Sequence, residues 1–266
     1  MTTAEIVERA LEEDVGTGDV TTALCVQAER QAVARFIIRE PAVVAGVELL
    51  PLLYDSIELK VGNGAFLKPG ALIAIAKGSA RLLLTRERVT LNFLQHLTGV
   101  ATLARKFVDA VAGTKCSILD TRKTTPGLRQ LEKAAARAGG ATNHRMGLFD
   151  AVLIKNNHIT AAGGVRAALD ATRHIQLPVE IEVRTRAELD EALACGAKAL
   201  LLDNLTPAEA KEWIRDIAGR ATVELSGGIT LETVRAYAEA GPDFISAGAI
   251  THSARAIDIH CRLELT

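Results

Sequence analysis

From Lys115 onward, short apolar runs alternate with helical stretches, and this alternation limits the fold more than any other feature of the chain. The runs lie at 117–119, 151–154, 179–183, 199–202, 222–225 and 244–246, with helix-patterned segments such as 186–194, 207–218 and 231–240 between them. Strands joined through helices run parallel, because a helical crossover returns the chain to the same end of the sheet. Six such strands and one more would form an α/β barrel or part of one. No unit repeats another in sequence, which excludes a solenoid.

The first hundred residues carry a different pattern. Residues 4–13 place apolar side chains at helical spacing, 32–39 form a β-like run closed by Glu40-Pro41, and 47–54 reads as helical. Short strand candidates follow at 57–61, 65–66, 71–76 and 80–84, punctuated by Gly62, Gly64, Lys68-Pro69-Gly70 and Gly78. This mixture points to a small α+β domain with an antiparallel sheet. A long helix is expected from about residue 86 to 111, with Thr85 as its N-cap and Val89, Phe93, Leu97, Val100, Ala104, Phe107, Val108 and Val111 along one stripe. It would join the two parts.

Charge and composition exclude several partners. Lys and Arg number 31 against 32 Asp and Glu, so neither a nucleic-acid coat nor a basic membrane face is expected. The longest nearly apolar run, 42–54, contains Glu48 and Pro51 and is too short to span a bilayer. The amino end lacks the basic head and apolar core of a secretion signal, and a cytoplasmic setting is expected. The four cysteines show neither CxxC nor zinc spacing and are expected to be reduced and mostly buried. His96, His158, His174, His252 and His260 form no metal spacing either. Gly16-Thr17-Gly18-Asp19 is not a dinucleotide fingerprint, because no strand precedes it.

In a parallel βα barrel, functional groups sit at the carboxyl ends of the strands. Those positions here hold Asp120-Thr121-Arg122-Lys123, Lys155, Glu182, Asp203, Ser226-Gly227-Gly228 and Gly248. Arg122-Lys123, His144-Arg145 and Lys155 form a group of cations suited to carboxylates or phosphates. Glu182 and Asp203, one βα unit apart, either suit Mg²⁺ or balance the neighbouring cations. Ser226-Gly227-Gly228 and Ser246-Ala247-Gly248-Ala249 each follow a strand and precede helical sequence, which is the setting of a phosphate site. A lone arginine is ordinarily a solvated surface group. Cations, carboxylates and glycines sorted in series along the strand ends point to a built site.

Three long, ungapped motifs sharpen the reading. They are Asp120-Thr121-Arg122-Lys123-Thr124-Thr125-Pro126-Gly127-Leu128-Arg129, Asn143-His144-Arg145-Met146-Gly147-Leu148 and Leu153-Ile154-Lys155-Asn156-Asn157-His158-Ile159. With Glu13-Asp14-Val15-Gly16-Thr17-Gly18-Asp19, Glu87-Arg88, Leu202-Asp203-Asn204, Leu225-Ser226-Gly227-Gly228-Ile229 and Thr251-His252-Ser253, they closely resemble the quinolinate phosphoribosyltransferase family over nearly the whole chain. Asn156 stands where an acidic residue is common in that family.

The resemblance implies conversion of quinolinate and phosphoribosyl pyrophosphate, with Mg²⁺, into nicotinate mononucleotide, pyrophosphate and CO₂ in NAD biosynthesis. It implies an open, seven-stranded α/β barrel over 106–251 and an N-terminal α+β sandwich domain over 1–105, rejoined by 252–266. It also implies a homodimer or a dimer-based hexamer. Carried over by position, Arg122, Lys123, His144, Arg145 and Lys155 line the quinolinate pocket, with Arg88 reaching it from the neighbouring subunit. Glu182 and Asp203 hold the ribose hydroxyls and the Mg²⁺-bound donor. Ser226, Gly227, Gly228, Gly248 and Ala249 hold the 5′-phosphate. Lys123, Lys155, Glu182 and Asp203 are the residues expected to carry the chemistry.

Two rivals share parts of this pattern. A molybdenum-transport-associated homologue has the same fold but an altered pocket, and retention of 121–127 with Lys155 argues against it. A non-catalytic barrel that binds a sugar phosphate would explain the glycines but not five cations beside two carboxylates.

Overall fold

The computed structural model describes residues 2–266 and divides into two compact units. The first comprises residues up to Arg105 together with Thr124–Gly140 and Ile250–Thr266, and the second comprises Lys106–Lys123 and Ala141–Ala249. Strands β1 (Gln31–Ile38), β2 (Ala42–Val43), β3 (Ile57–Leu59), β4 (Phe66–Leu67) and β5 (Leu72–Ser79) belong to the first unit. Strands β6 (Ser117–Leu119), β7 (Val152–Ile154), β8 (Val179–Val183), β9 (Ala199–Asp203), β10 (Thr222–Ser226) and β11 (Phe244–Ser246) build the second, and β12 (Ile259–Leu265) returns to the first.

In the first unit an antiparallel sheet runs in the order β12-β1-β5-β3, with β2 and β4 paired apart from it. Ala32, Ala34, Phe36 and Ile38 are buried on β1 while their neighbours are not, the period of two of a sheet with one covered face. Phe36 packs against Tyr54 with ring centroids 5.9 Å apart, and the Tyr54 hydroxyl lies 2.8 Å from Thr90 Oγ1. Sheet and long helix therefore share a core. The carboxyl end joins it where Ile257 N donates to Gln95 O, and a Cβ on Gly99 would stand 2.1 Å from Arg255 O. Only glycine fits that crossing.

The long helix spans Ala80–Ala110 and follows β5 without a loop. Residues 80–84 are thus helix and not strand, and Thr85 lies inside the helix rather than capping it. A five-residue run without a turn residue fits either period, and the choice falls to packing. Leu83 continues a buried stripe through Thr90, Leu94, Leu97, Ala101 and Ala104. Thr85 instead donates its hydroxyl to Asp19 Oδ2 at 3.0 Å. Asp19 itself caps the short helix Val20–Cys25 by accepting from Thr22 N, so Gly16-Thr17-Gly18-Asp19 ends one helix and starts the next.

In the second unit all neighbouring strands run parallel, in the order β6-β11-β10-β9-β8-β7. A parallel bridge of Leu119 with Thr142 adds a seventh position beyond β6. This is the open α/β barrel. Thr185 with Glu188 and Thr206 with Glu209 form capping boxes that start the helices Arg186–Ala194 and Pro207–Ile217 immediately after β8 and β9. Those sharp starts leave the strand carboxyl ends open.

All four cysteines are free thiols, but only Cys116 is buried, Cys195 and Cys261 being intermediate and Cys25 exposed. Cys25 falls on a helix with a single buried residue, where no core is available to cover it. Burial pushes the Cys116 and Cys261 thiols up to about 12, away from nucleophilic use. Among the described residues no helix is long and apolar enough to cross a membrane.

Candidate active site

The pleat decides which side chains reach the barrel mouth. On β8, Ile181 and Val183 are wholly buried on one face, so Glu180 and Glu182 share the other. On β10 the same alternation puts Glu224 with Ser226, whose ladder partner on β9 is Asp203. Lys155, at the exit of β7, is exposed. Lys155, Glu182, Asp203, Ser226 and Ser246 thus stand at consecutive strand exits, as their spacing implies.

Glu182 is 4% exposed and faces two cations. Lys155 Nζ lies 3.7 Å from its Oε2, and Arg184 Nε and Nη2 lie 3.1 and 2.9 Å from its Oε1. Arg184 Nε is also 3.9 Å from Asp203 Oδ2, to which Asn204 Nδ2 donates at 2.6 Å. Burial and then the charge of Glu182 raise the Asp203 carboxyl above its ordinary value, against the pull of Arg184 and Lys155. Two neighbouring carboxylates of this kind fit a divalent cation, which one or two carboxylates hold together with substrate oxygens.

Arg122 and Arg145 form the second feature. Burial and then the charge of Arg122 hold the Arg145 guanidinium below the usual arginine value. Asp120, wholly buried, fixes the connection by accepting His144 N at 2.8 Å and Asn143 Nδ2 at 2.5 Å. Asp150 does the same for Met146 N and Gly147 N, and Arg145 Nη1 donates to Ala151 O. Two guanidinium groups brought near each other from the segments after β6 and before β7 suit a dianion.

His144 points inward. Its Nε2 lies 3.6 Å from Glu180 Oε2 and 3.3 Å from Glu224 Oε2, and its Nδ1 accepts the Arg145 backbone N–H at 2.7 Å. Burial opposes a charge here and the two carboxylates favour one, but Nδ1 is taken by the Arg145 N–H, which fixes the neutral tautomer with its proton on Nε2. The Arg145 N–H keeps the shared proton on the carboxylate side of the ring. These side chains are the only group of three or more metal-type donors brought together among the described residues. With both ring nitrogens engaged, they form an internal hydrogen-bonded cluster. Glu180 and Glu224 escaped the sequence reading because they lie one pleat below the strand ends. The alternation Val179-Glu180-Ile181-Glu182-Val183 was the available signal.

The glycine turns lie at the ends of β10 and β11. Gly227 and Gly228 adopt φ of 97° and 62°, and Asn204, at φ 59°, donates its N–H to Ser226 O at 2.9 Å. Ser246 Oγ donates to Ser226 Oγ at 3.0 Å, joining the two turns. Gly248 follows in the turn after β11, and Ala249 begins the helix Ala249–His252. Lys123 is exposed, with its N–H held by Thr121 Oγ1. Arg88 belongs to the first unit, where it is exposed in the third turn of the long helix and not in the first. Of the other histidines, His158 accepts from Lys155 N at the start of the helix Asn156–Ala162, and His96 Nε2 lies 2.8 Å from the buried Glu132.

Models of the N- and C-terminal domains of quinolinate phosphoribosyl transferase match residues 19–98 and 100–262. The chain is 42% identical over 269 residues to the carboxylating nicotinate-nucleotide pyrophosphorylase of Mycobacterium leprae, covering 96% of this chain and 95% of that one. It is 38% identical over 263 residues to a probable enzyme of the same name from Bacillus subtilis, covering 96% and 91%. The crystal structure of NadC from Streptococcus pyogenes superposes with a TM-score of 0.93 at 36% identity, over 98% of this chain and 96% of that one. Nicotinate-nucleotide pyrophosphorylase from Ehrlichia chaffeensis gives 0.95 at 35%, over 99% of both.

Proposed function

The chain belongs to the quinolinate phosphoribosyltransferase family, and we propose that its barrel mouth performs that reaction with the strand-end residues described above. It transfers phosphoribosyl from phosphoribosyl pyrophosphate to quinolinate with loss of CO₂, giving nicotinate mononucleotide and pyrophosphate for NAD biosynthesis. The observation that carries the residue assignment is the series Lys155, Glu182, Asp203, Ser226 and Ser246 along consecutive parallel strand exits, with Lys155 Nζ 3.7 Å from Glu182 Oε2.

Arg122, Arg145, Lys123 and Lys155 bind the quinolinate carboxylates, and His144 holds Arg145 in place through its backbone N–H. The ring nitrogen attacks the anomeric carbon as pyrophosphate departs. Glu182 and Asp203 stabilise the positive charge that develops on the ribose and bind its hydroxyls. They are also the residues that would hold Mg²⁺, which supplies positive charge for the departing pyrophosphate. Ser226, Gly227, Gly228, Gly248 and Ala249 bind the 5′-phosphate through the two joined turns. Once the ring is a pyridinium, the C2 carboxylate leaves as CO₂, the adjacent N⁺ stabilises the carbanion left at C2, and that carbanion takes up a proton from solvent. No side-chain nucleophile takes part.

Arg88 completes the pocket from a second copy in a homodimer or a dimer-based hexamer. Support for pairing comes from large apolar side chains left exposed: Leu148 at 73% and Phe149 at 75% beside the Arg145 loop, and Leu24 at 87% in the first unit. The cytoplasm is the proposed location. The direct test is formation of nicotinate mononucleotide from both substrates by purified protein. Binding of a sugar phosphate without turnover would replace this reading with that of a non-catalytic barrel.

A further inference from the structure

Arg184 has no part in the roles above, yet its guanidinium lies against the carboxylate pair. It touches Glu182 Oε1 through Nε and Nη2 at 3.1 and 2.9 Å and approaches Asp203 Oδ2 to 3.9 Å. Lys155 stands 3.7 Å from the other Glu182 oxygen. Both oxygens of Glu182 therefore face a cation in the free enzyme. Mg²⁺ requires a regular shell of oxygens at about 2.0–2.1 Å, and a guanidinium on the same ligand oxygen opposes it by like charge. Arg184 and Mg²⁺ exclude each other from Glu182 Oε1.

Arg184 is the partner that can move. Its side chain is 48% exposed and follows β8 directly, while the Glu182 side chain is 5% exposed within the strand. A displaced guanidinium needs an anion, and its planar fork matches phosphate oxygens. The donor brings such a group, its pyrophosphate, together with Mg²⁺.

We propose that Arg184 is a donor-binding residue that neutralises Glu182 and Asp203 in the free enzyme and passes to the donor's pyrophosphate when Mg²⁺ takes the carboxylates. The proposal rests on the phosphoribosyltransferase reading and adds a residue to it. Its chemical content is a competition between two cations for one oxygen followed by capture of an anion, with no bond made or broken.

Arg184→Gln and Arg184→Lys test it. Three measurements apply to each purified protein: Mn²⁺ affinity by electron paramagnetic resonance without substrate, affinity for Mg²⁺-pyrophosphate by calorimetry, and KM for each substrate. Loss of one charge-assisted contact corresponds to about ten-fold in affinity. Arg184→Gln should bind Mn²⁺ several-fold more tightly than wild type, bind Mg²⁺-pyrophosphate about ten-fold more weakly and show the same rise in donor KM. Quinolinate KM should stay within two-fold, and Arg184→Lys should fall between the two proteins. Unchanged Mn²⁺ affinity or unchanged pyrophosphate affinity in Arg184→Gln overturns the proposal while leaving wild-type turnover untouched. Absence of turnover in wild type would strike the parent reading instead, and the two binding arms would still decide the role of Arg184.

Discussion

Nε2 of His144 lies 3.3 Å from Oε2 of Glu224, a carboxylate whose other oxygen is buried without a hydrogen-bond partner. Glu180 faces the same ring, and Arg145 adds the compensating positive charge. The Arg145 N–H occupies Nδ1 of that ring, so the ring's proton sits on Nε2 and faces the two carboxylates. Removing the ring takes the shared donor from two carboxylates and the acceptor from Arg145 N. His144→Ala should lower stability by about 1–3 kcal/mol and raise quinolinate KM, because Arg145 loses its hold. Chemical denaturation and steady-state kinetics check both.

Gly227 is the position where the proposed phosphate turn tolerates least. Its φ is 97°, and a Cβ there would stand 2.3 Å from Asn204 Oδ1 and 2.7 Å from Asn204 N. The turn must open or Asn204 must leave Ser226. Gly227→Ala should lower stability by about 1–3 kcal/mol and raise donor KM more than quinolinate KM. Chemical denaturation and steady-state kinetics measure the two effects separately.

Glu182 and Asp203 are assigned to the donor and not to quinolinate. Replacing either by Ala should lower kcat on the order of 100-fold, with quinolinate affinity nearly unchanged. Full turnover by Asp203→Ala would remove it from the assignment. Equilibrium binding of quinolinate supplies the second readout.

Arg88 is assigned to the pocket of a second copy. Arg88→Ala and Lys155→Ala should each be nearly inactive alone, and co-refolded chains should recover activity, because a mixed dimer contains one site with both residues intact. Mixtures shown to contain heterodimer yet lacking recovery would return Arg88 to its own chain's surface. Subunit mixing followed by an activity assay decides between them.

Legibility in the sequence followed the reach of local pattern. Lys155, Glu182, Asp203 and Ser226 could be placed because each lies where an apolar run stops, and a parallel barrel collects such points at one mouth. Glu180 and Glu224 lie inside their runs, and their meeting at His144 brings together residues far apart in sequence on two different strands. Arg184 follows Glu182 by two residues and turns back onto it, a direction no spacing encodes. The start of the long helix was ambiguous for a related reason. Ala80-Arg81-Leu82-Leu83-Leu84 satisfies a strand period as well as a helical one until Leu83 finds its place in the stripe.

The central claim is that decarboxylation follows attack at the ribose, because only the pyridinium makes the C2 carbanion tolerable. Quinolinate labelled in its C2 carboxyl group tests this most directly, with labelled CO₂ trapped and counted. Purified protein with Mg²⁺ and phosphoribosyl pyrophosphate should release one labelled CO₂ for each nicotinate mononucleotide formed, and none when pyrophosphate replaces the donor. Labelled CO₂ released without the ribosyl donor would contradict the account.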